Sequence, residues 1–101
     1  MDMRALMKQA QQMQKQMQET QEQLALREVT AEVAGGQVVA VMNGRHQLVS
    51  LTIRPETVDP QDVEFLQDLV VSAVNEAVRR VDEMVEKEMG AVTGGLKLPG
   101  M

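Results

Sequence analysis

MRALMKQAQQMQKQMQETQEQL, residues 3 to 24, is the segment of this sequence with the clearest periodic pattern. Its apolar and small residues recur at alternating spacings of three and four, which is the seam of a heptad repeat on one helix face. The seam residues are Met3, Leu6, Ala10, Met13, Met17, Thr20 and Leu24. A helix of about 25 residues would be roughly 37 Å long, longer than a compact domain of this size is wide. We therefore expect part of the helix to project or to pair with a partner.

Three short segments with strand-like composition follow this helix. They span residues 28 to 34, 37 to 42 and 49 to 53; the first and third alternate apolar with polar residues, and the second is almost entirely apolar. The dipeptides Gly35-Gly36 and Asn43-Gly44 predict tight turns between them. The pattern predicts a three-stranded antiparallel meander with one apolar face, which must pack against another element.

A second helix is predicted to begin at Asp59-Pro60, because Asp59 can cap free N–H groups and Pro60 suits the first helical position. A wide apolar stripe then runs to about Met89 and is the natural cover for the sheet. The fold class predicted is α+β, with a subunit of order α-β-β-β-α. A single domain is expected over residues 1–89, followed by a flexible tail of glycines and a proline over residues 90–101.

The composition restricts the kind of protein this can be. With 101 residues the chain supports one domain, and Phe65 is its only aromatic residue, so nine methionines must supply bulk to a thin core. A partner subunit would relieve that shortage. The chain has no cysteine, no apolar run long enough for a membrane span and no signal-peptide pattern, so we expect a cytoplasmic protein with no membrane partner.

Catalytic and cofactor sites are not indicated. The single histidine, His46, stands without a second histidine or a cysteine at metal-ligand spacing and is expected to be a solvated strand residue. The carboxylates of the second helix alternate with cations, as on an ordinary charged surface. The glycine pairs lack the context of a phosphate-binding loop. We therefore expect no enzyme activity, no metal and no cofactor.

The charges of the first helix form the informative pattern. Placed at about 100° per residue, Arg4, Lys8 and Lys15 lie on one line with Gln11 and Gln18, on the face opposite the apolar seam. Residues 1 to 18 contain three cations and one anion and so carry a charge of +2. The remaining residues carry −7, which gives the net charge of −5. The chain is thus polarised rather than uniformly acidic. Two plainer alternatives stay open: the stripe is an ordinary solvated face, and the seam packs on its own sheet.

The chain also resembles a known family over nearly its whole length. The resemblance lies in MKQAQQMQKQMQ at residues 7 to 18, Gly35-Gly36, Asn43-Gly44, Ile53-Arg54-Pro55, Leu69 to Ala77 with Asn75-Glu76-Ala77, and TGGLKLPGM at residues 93 to 101. In this order, these elements resemble the YbaB/EbfC family of bacterial nucleoid-associated proteins. The resemblance implies a tight homodimer in which sheets and second helices form the body and the long first helices project like tweezers. It also implies DNA binding without catalysis.

Two groups of candidate residues follow from the resemblance and the charge pattern. DNA-binding residues are expected on the first helix and near the far end of the second: Arg4, Lys8, Gln11, Lys15, Arg79, Arg80 and Lys87. Acidic neighbours of the second cluster, Asp82, Glu83, Glu86 and Glu88, should weaken its phosphate contacts by repulsion. The residues expected in the core or the dimer interface are Leu6, Met13, Met17, Leu24, Val41, Leu51, Leu69 and Val74.

The function expected is that of a nucleoid-associated protein that binds duplex DNA as a homodimer. It would hold phosphates with weak sequence preference, because no recognition helix or aromatic platform is evident, and would organise the chromosome and influence transcription. The alternative is a protein-interaction adaptor, in which the projecting methionine-rich helices dock on other proteins.

Overall fold

The computed structural model describes the backbone of residues 2–92 and the side chains of residues 2–90. A long helix, α1, is followed by three strands and a second long helix, α2, with short 3-10 turns before β2 and before α2. The elements are α1 (Met3–Leu26), β1 (Glu28–Val33), β2 (Val38–Asn43), β3 (Leu48–Ile53) and α2 (Val63–Val92). This order confirms the predicted α-β-β-β-α fold.

The strands form an antiparallel sheet of order β1-β2-β3, as predicted. Ala40 at its centre is paired with Ala31 on β1 and Leu51 on β3. Alternate residues of β2 are buried, and they form the core with small residues of α2. The fully covered cluster comprises Ala31, Val38, Ala40, Met42, Ala73, Ala77 and Val81. Because so many of these side chains are alanine, the helix approaches the sheet closely and the core is thin.

The cover that α2 provides reaches only two of the three strands. The helix packs against β1 and β2, while every residue of β3 except Ile53 is exposed. Leu51 lies on the α2 side of the sheet through its pairing with Ala40, yet 36% of it is accessible. The apolar face that the sequence predicts is therefore left open at β3 in the single subunit.

The two turns of the meander differ from each other. Gly35 and Gly36 both have positive φ, which confirms the first turn. The second turn also occurs at Asn43-Gly44, where the carbonyl of Asn43 accepts a hydrogen bond from the N–H of His46; the loop covers residues 44 to 47, and its positive-φ residue is His46 instead of Gly44. The side-chain oxygen of Asn43 accepts hydrogen bonds from the backbone N–H groups of Arg45 and Gln47 and holds this wider loop.

Gly44 has a packing role rather than a turn role. Its N–H donates to the carbonyl of Arg27 at 3.0 Å, which places the β2–β3 loop against the end of α1. A Cβ atom added to Gly44 would lie 1.8 Å from the carbonyl oxygen of Leu24. Only glycine permits this approach, so Gly44 holds the base of α1 on the body.

The start of α2 also differs from the prediction. The helix begins at Val63 instead of Pro60, because Asp62 caps it by accepting a hydrogen bond from the N–H of Phe65. Asp59 caps a preceding turn through the N–H of Gln61. At its other end α2 continues through residues 90 to 92 instead of stopping near residue 89. The rest of the predicted tail, residues 93–101, lies outside the described residues.

The helix α1 projects from the body, as predicted. The side chain of Asp2 caps its start through the N–H of Arg4, and its C-terminal end packs on the body, where Leu24 is buried and Arg27 pairs with Glu88. The described chain measures 72 × 27 × 17 Å with a radius of gyration of 19.7 Å, against about 13 Å for a compact domain of similar length. The two helices, roughly 36 and 45 Å long, thus lie nearly end to end.

The contact at Gly44 predicts a strong effect of adding one methyl group. Gly44→Ala should lower the free energy of unfolding by about 1–3 kcal/mol, because the backbone of Leu24 cannot move aside as a flexible side chain could. Gly90→Ala is the matched control, since nothing lies within 4 Å of the added Cβ, and it should stabilise α2 by up to about 1 kcal/mol. Urea unfolding followed by circular dichroism measures both; equal effects would contradict the proposed contact.

Candidate nucleic-acid interface

The projecting part of α1 carries an exposed cationic stripe. Arg4, Lys8, Gln11 and Lys15 are all exposed, and they lie within about 40° of one line along the helix. From Arg4 to Lys15 this stripe extends about 17 Å. No carboxylate of residues 2–90 lies within ion-pair distance of its three cations. The structure therefore brings together the first-helix residues that the sequence predicts.

The stripe ends where α1 approaches the body. Glu22 lies on the same line as Arg4, and Glu19 lies beside it, so the charge of the helix changes sign before its last turn. Both carboxylates are exposed. The cationic surface is thus confined to the part of α1 that projects.

The second predicted cluster is neutralised by ion pairs. The Arg79 guanidinium contacts Glu76, with 2.5 Å between Nη2 and Oε1, and also pairs with Glu83. The Arg80 guanidinium lies 3.1 Å from the same Glu76 carboxylate and also donates to the carbonyl of Thr30. These bonds, first from Arg79 and then from Arg80, lower the pKa of Glu76 to about 2. Two cations held by two carboxylates offer little net charge to a phosphate.

Lys87 is the remaining predicted residue of α2. It is exposed and lines a shallow depression with Glu83 and Glu88, and Glu88 pairs with Arg27 at 2.9 Å. This agrees with the expected weakening of the second cluster by acidic neighbours. The Arg27–Glu88 pair also ties the end of α1 to α2.

His46 is solvent-exposed, as expected, but it does not lie on a strand. It lies in the β2–β3 loop, and its Nε2 is 2.7 Å from Oδ1 of Asp82 on α2. This contact joins residues 36 positions apart and has no signal in the sequence. Within residues 2–90, no group of three potential metal ligands is present. None of the helices in the described part of the chain is both long and apolar enough to span a membrane.

Four of the eight residues expected in the core or dimer interface lie in the body. Leu24 is buried, and Leu69 and Val74 pack against the core cluster. Val41 is half-buried, but it lies on the face of β2 opposite Ala40 and so faces away from α2. This side of the sheet is separate from the core.

The other four lie on surfaces that the single subunit leaves open. Leu51 is at the uncovered strand β3. Along α1, Met13 and Met17 are half-buried, whereas 48% of Leu6 is exposed. The burial of the seam therefore decreases from the base of α1 to its tip. The use of these residues in a dimer stays a prediction.

An elongated α+β subunit with unpaired cations on a projecting helix has the charge distribution of a protein that binds a polyanion. The chain belongs to the YbaB/EbfC DNA-binding family, whose family model matches residues 1–96. This confirms the resemblance noted in the sequence. The family is one of DNA-binding proteins, not of enzymes.

Individual relatives agree with this assignment. The chain is 51% identical over 100 residues to a nucleoid-associated protein of Alkaliphilus metalliredigens, covering 99% of this chain and 88% of the relative. It is 48% identical to a nucleoid-associated protein of Pelotomaculum thermopropionicum, covering 99% and 95% of the two chains. A crystal structure of an uncharacterized protein from Helicobacter pylori superposes with a TM-score of 0.71 at 28% identity, covering 86% of this chain and 91% of that one.

The low pKa of Glu76 predicts a pH dependence of stability. Because the pKa falls from its ordinary 4.5 to about 2 in the folded chain, the stabilisation by Glu76 is complete above pH 4.5 and is lost as the pH falls toward 2. As the pH falls from 4.5 toward 2, the variant Glu76→Gln should therefore lose less thermal stability than the parent protein. Glu86→Gln, an exposed carboxylate on the same helix without an ion pair in residues 2–90, should behave like the parent. Thermal unfolding at a series of pH values tests this; identical slopes for all three proteins would refute it.

Proposed function

We propose that this protein is a homodimer whose α1 helices hold duplex DNA, mainly through phosphates, and that it contributes in this way to chromosome organisation. The observation that carries the proposal is the exposed stripe of Arg4, Lys8 and Lys15. These cations have no carboxylate partner within residues 2–90, whereas Arg27, Arg79 and Arg80 are all ion-paired. The names of the relatives, nucleoid-associated proteins, support a cytoplasmic protein located at the nucleoid.

Distance explains how an acidic protein can bind a polyanion. Along the axis of α1, Glu19 lies about 22 Å from Arg4 and about 16 Å from Lys8, but only about 6 Å from Lys15. The Debye length at physiological ionic strength is about 8 Å, so the field of Glu19 and of the body is largely screened at Arg4 and Lys8. The projection of α1 therefore lets its local charge act on DNA despite the net charge of −5.

The chemistry of the stripe favours phosphates over base edges. Lys8 and Lys15 are flexible point charges, and only Arg4 could form a bidentate contact. The span of about 17 Å corresponds to roughly five phosphate spacings along one strand of duplex DNA. Weak sequence preference and strong salt dependence follow.

The uncovered apolar surface supports a dimer. Leu51 on β3 is 36% exposed, and Phe65 and Val71 on α2 are 47% and 57% exposed. Val38 and Val81 are the largest side chains that the described subunit buries fully. A second copy packed on β3 and α2 would remove the exposed residues from water and thicken this core.

Removing the charge of the stripe should abolish most of the binding. Per dimer, six arm cations would make log K fall with log salt with a slope of about −5. The double variant Lys8→Gln and Lys15→Gln keeps two of the six, so its slope should fall to about −2 and its affinity for random duplex DNA should collapse at physiological salt. Fluorescence anisotropy at several salt concentrations measures both quantities.

The matched control removes the same number of cations from the ion-paired cluster. Arg79→Gln with Arg80→Gln changes the net charge equally but should leave the slope near −5, because these arginines already pair with Glu76 and Glu83. Circular dichroism must show a native spectrum for both variants. A larger loss of DNA affinity with the α2 variant than with the α1 variant would place the DNA contacts on α2 and reject the proposal.

The dimer surface has its own test. Leu51→Lys puts a charge on the open α2 side of β3 and should reduce the molar mass in light scattering from two subunits to one, with the fold retained because Leu51 is accessible in the single subunit. Thr52→Lys, the next residue on the opposite side of the same strand, is the control and should stay dimeric. If Thr52→Lys dissociated and Leu51→Lys did not, the interface would lie on the face of the sheet that points away from α2.

A further inference from the structure

The seam of α1 is an apolar surface that the described residues of one subunit leave largely open toward its tip. Only Leu24 at the base is buried, whereas Met3 and Leu6 at the tip are 73% and 48% exposed. Met13 and Met17 in between are half-buried. An exposed apolar strip of this kind on a projecting helix indicates a surface that packs against another chain.

The residues that flank the seam indicate which kind of helix can pack against it. With Met3 at heptad position a, the flanking e and g positions are Met7, Gln9, Gln14, Gln16, Gln21 and Gln23. None of them is charged. All the charged residues of α1 lie instead on the outer positions b, c and f: Arg4, Lys8, Lys15, Glu19 and Glu22.

Uncharged flanks suit a helix that pairs with its own copy. In coiled coils, charges at e and g select a partner by attraction and exclude others by repulsion. In a pair of identical helices, g faces e′ when they are parallel and g faces g′ when they are antiparallel, so flanks that carry one sign of charge would repel in both orientations. Glutamine avoids this repulsion in both parallel and antiparallel pairs. We propose that the seam of α1 pairs with the α1 seam of a second copy as a two-stranded coiled coil.

The geometry of the subunit places this second copy in another dimer. The base of α1 contacts α2 near Val85 and Glu88, whereas the exposed apolar residues of α2, Phe65 and Val71, lie at least 14 positions earlier, or about 21 Å along the helix. The 72 Å length of the described chain shows that α1 extends away from that region. This placement rests on the dimer proposed above: subunits joined through β3 and α2 hold their two arms apart, so the part of each seam that the described residues leave open is accessible to the arm of another dimer.

The pairing should be weak and reversible. Methionine, alanine and threonine occupy most seam positions, and they pack less firmly than the leucine and β-branched residues of stable coiled coils. Each dimer carries two arms, however, so several weak contacts can act together. The cations face away from the seam and stay accessible, which would let linked dimers hold DNA at separate places. The pairing itself does not depend on the proposed DNA binding.

A cysteine near the middle of the seam tests this pairing in the full chain without DNA. The chain has no cysteine, so Met13→Cys introduces a single thiol at a d position near the middle of the seam, where a parallel coil places the two copies in the same layer. Mild oxidation should give covalently paired chains on a non-reducing gel and a native mass above two subunits. Gln11→Cys, on the outer face, should give no such product. Equal products from both variants, or covalent pairs confined to a mass of two subunits, would overturn the proposal.

Charge placed on the flanks gives a second, independent measurement. In the Met13→Cys chain, changing Gln9, Gln14, Gln16 and Gln21 all to Glu should abolish the covalent product, and changing all four to Lys should do the same. Mixing the two variants should restore the product, because opposite charges then face each other across the coil and no exchange of subunits is needed. Circular dichroism shows whether each variant is folded. A mixture that stays uncrosslinked would refute the coiled coil, while the DNA-binding measurements above would be unaffected.

Discussion

The close packing of α2 on two strands is the constraint on which the rest of the subunit depends. Ala73, Ala77 and Val81 form one buried cluster with Ala31, Val38, Ala40 and Met42 of the sheet, and four of these seven side chains are alanine. Such a contact is well packed but thin, and one helix is too narrow to cover a third strand. The open edge at β3 therefore follows from covering a three-stranded sheet with a single helix.

A second consequence is the position of α1. Since α2 occupies the apolar face of the sheet, α1 packs at its base against α2, β2 and the β2–β3 loop. Gly44 lets that loop approach the backbone of Leu24, and the Arg27–Glu88 pair ties the two helices together. The base of α1 is held firmly while its tip stays free, and this separates the cationic stripe from the acidic body.

The structure also sorts the cations by what they can do. Sequence alone lists Arg79 and Arg80 beside Lys8 and Lys15, since all are cations on helices. In the folded chain the two arginines share the Glu76 carboxylate, whereas the lysines of α1 have no carboxylate partner in the described residues. Ion pairs at spacings of three and four within α2 are visible in the sequence, but which of the competing carboxylates each arginine contacts is a matter of side-chain packing. Family membership adds the conclusion that the polyanion is DNA.

Local patterns determined much of this protein. The heptad seam of α1, the strand alternation, the Gly35-Gly36 turn and the polarity of the first helix are all properties of neighbouring residues, so the sequence alone predicts them. The start of α2 at Val63 is not evident from the sequence because Asp59 and Asp62 are both suitable caps. The wider loop after Asn43 is not evident either, because it is held by hydrogen bonds to the Asn43 side chain and not by a positive-φ glycine. Only the tertiary structure decided that β3 stays uncovered, that Gly44 touches Leu24 and that His46 meets Asp82. These contacts join residues far apart in the chain, and their geometry depends on how closely α2 packs on the sheet, which no local periodicity encodes.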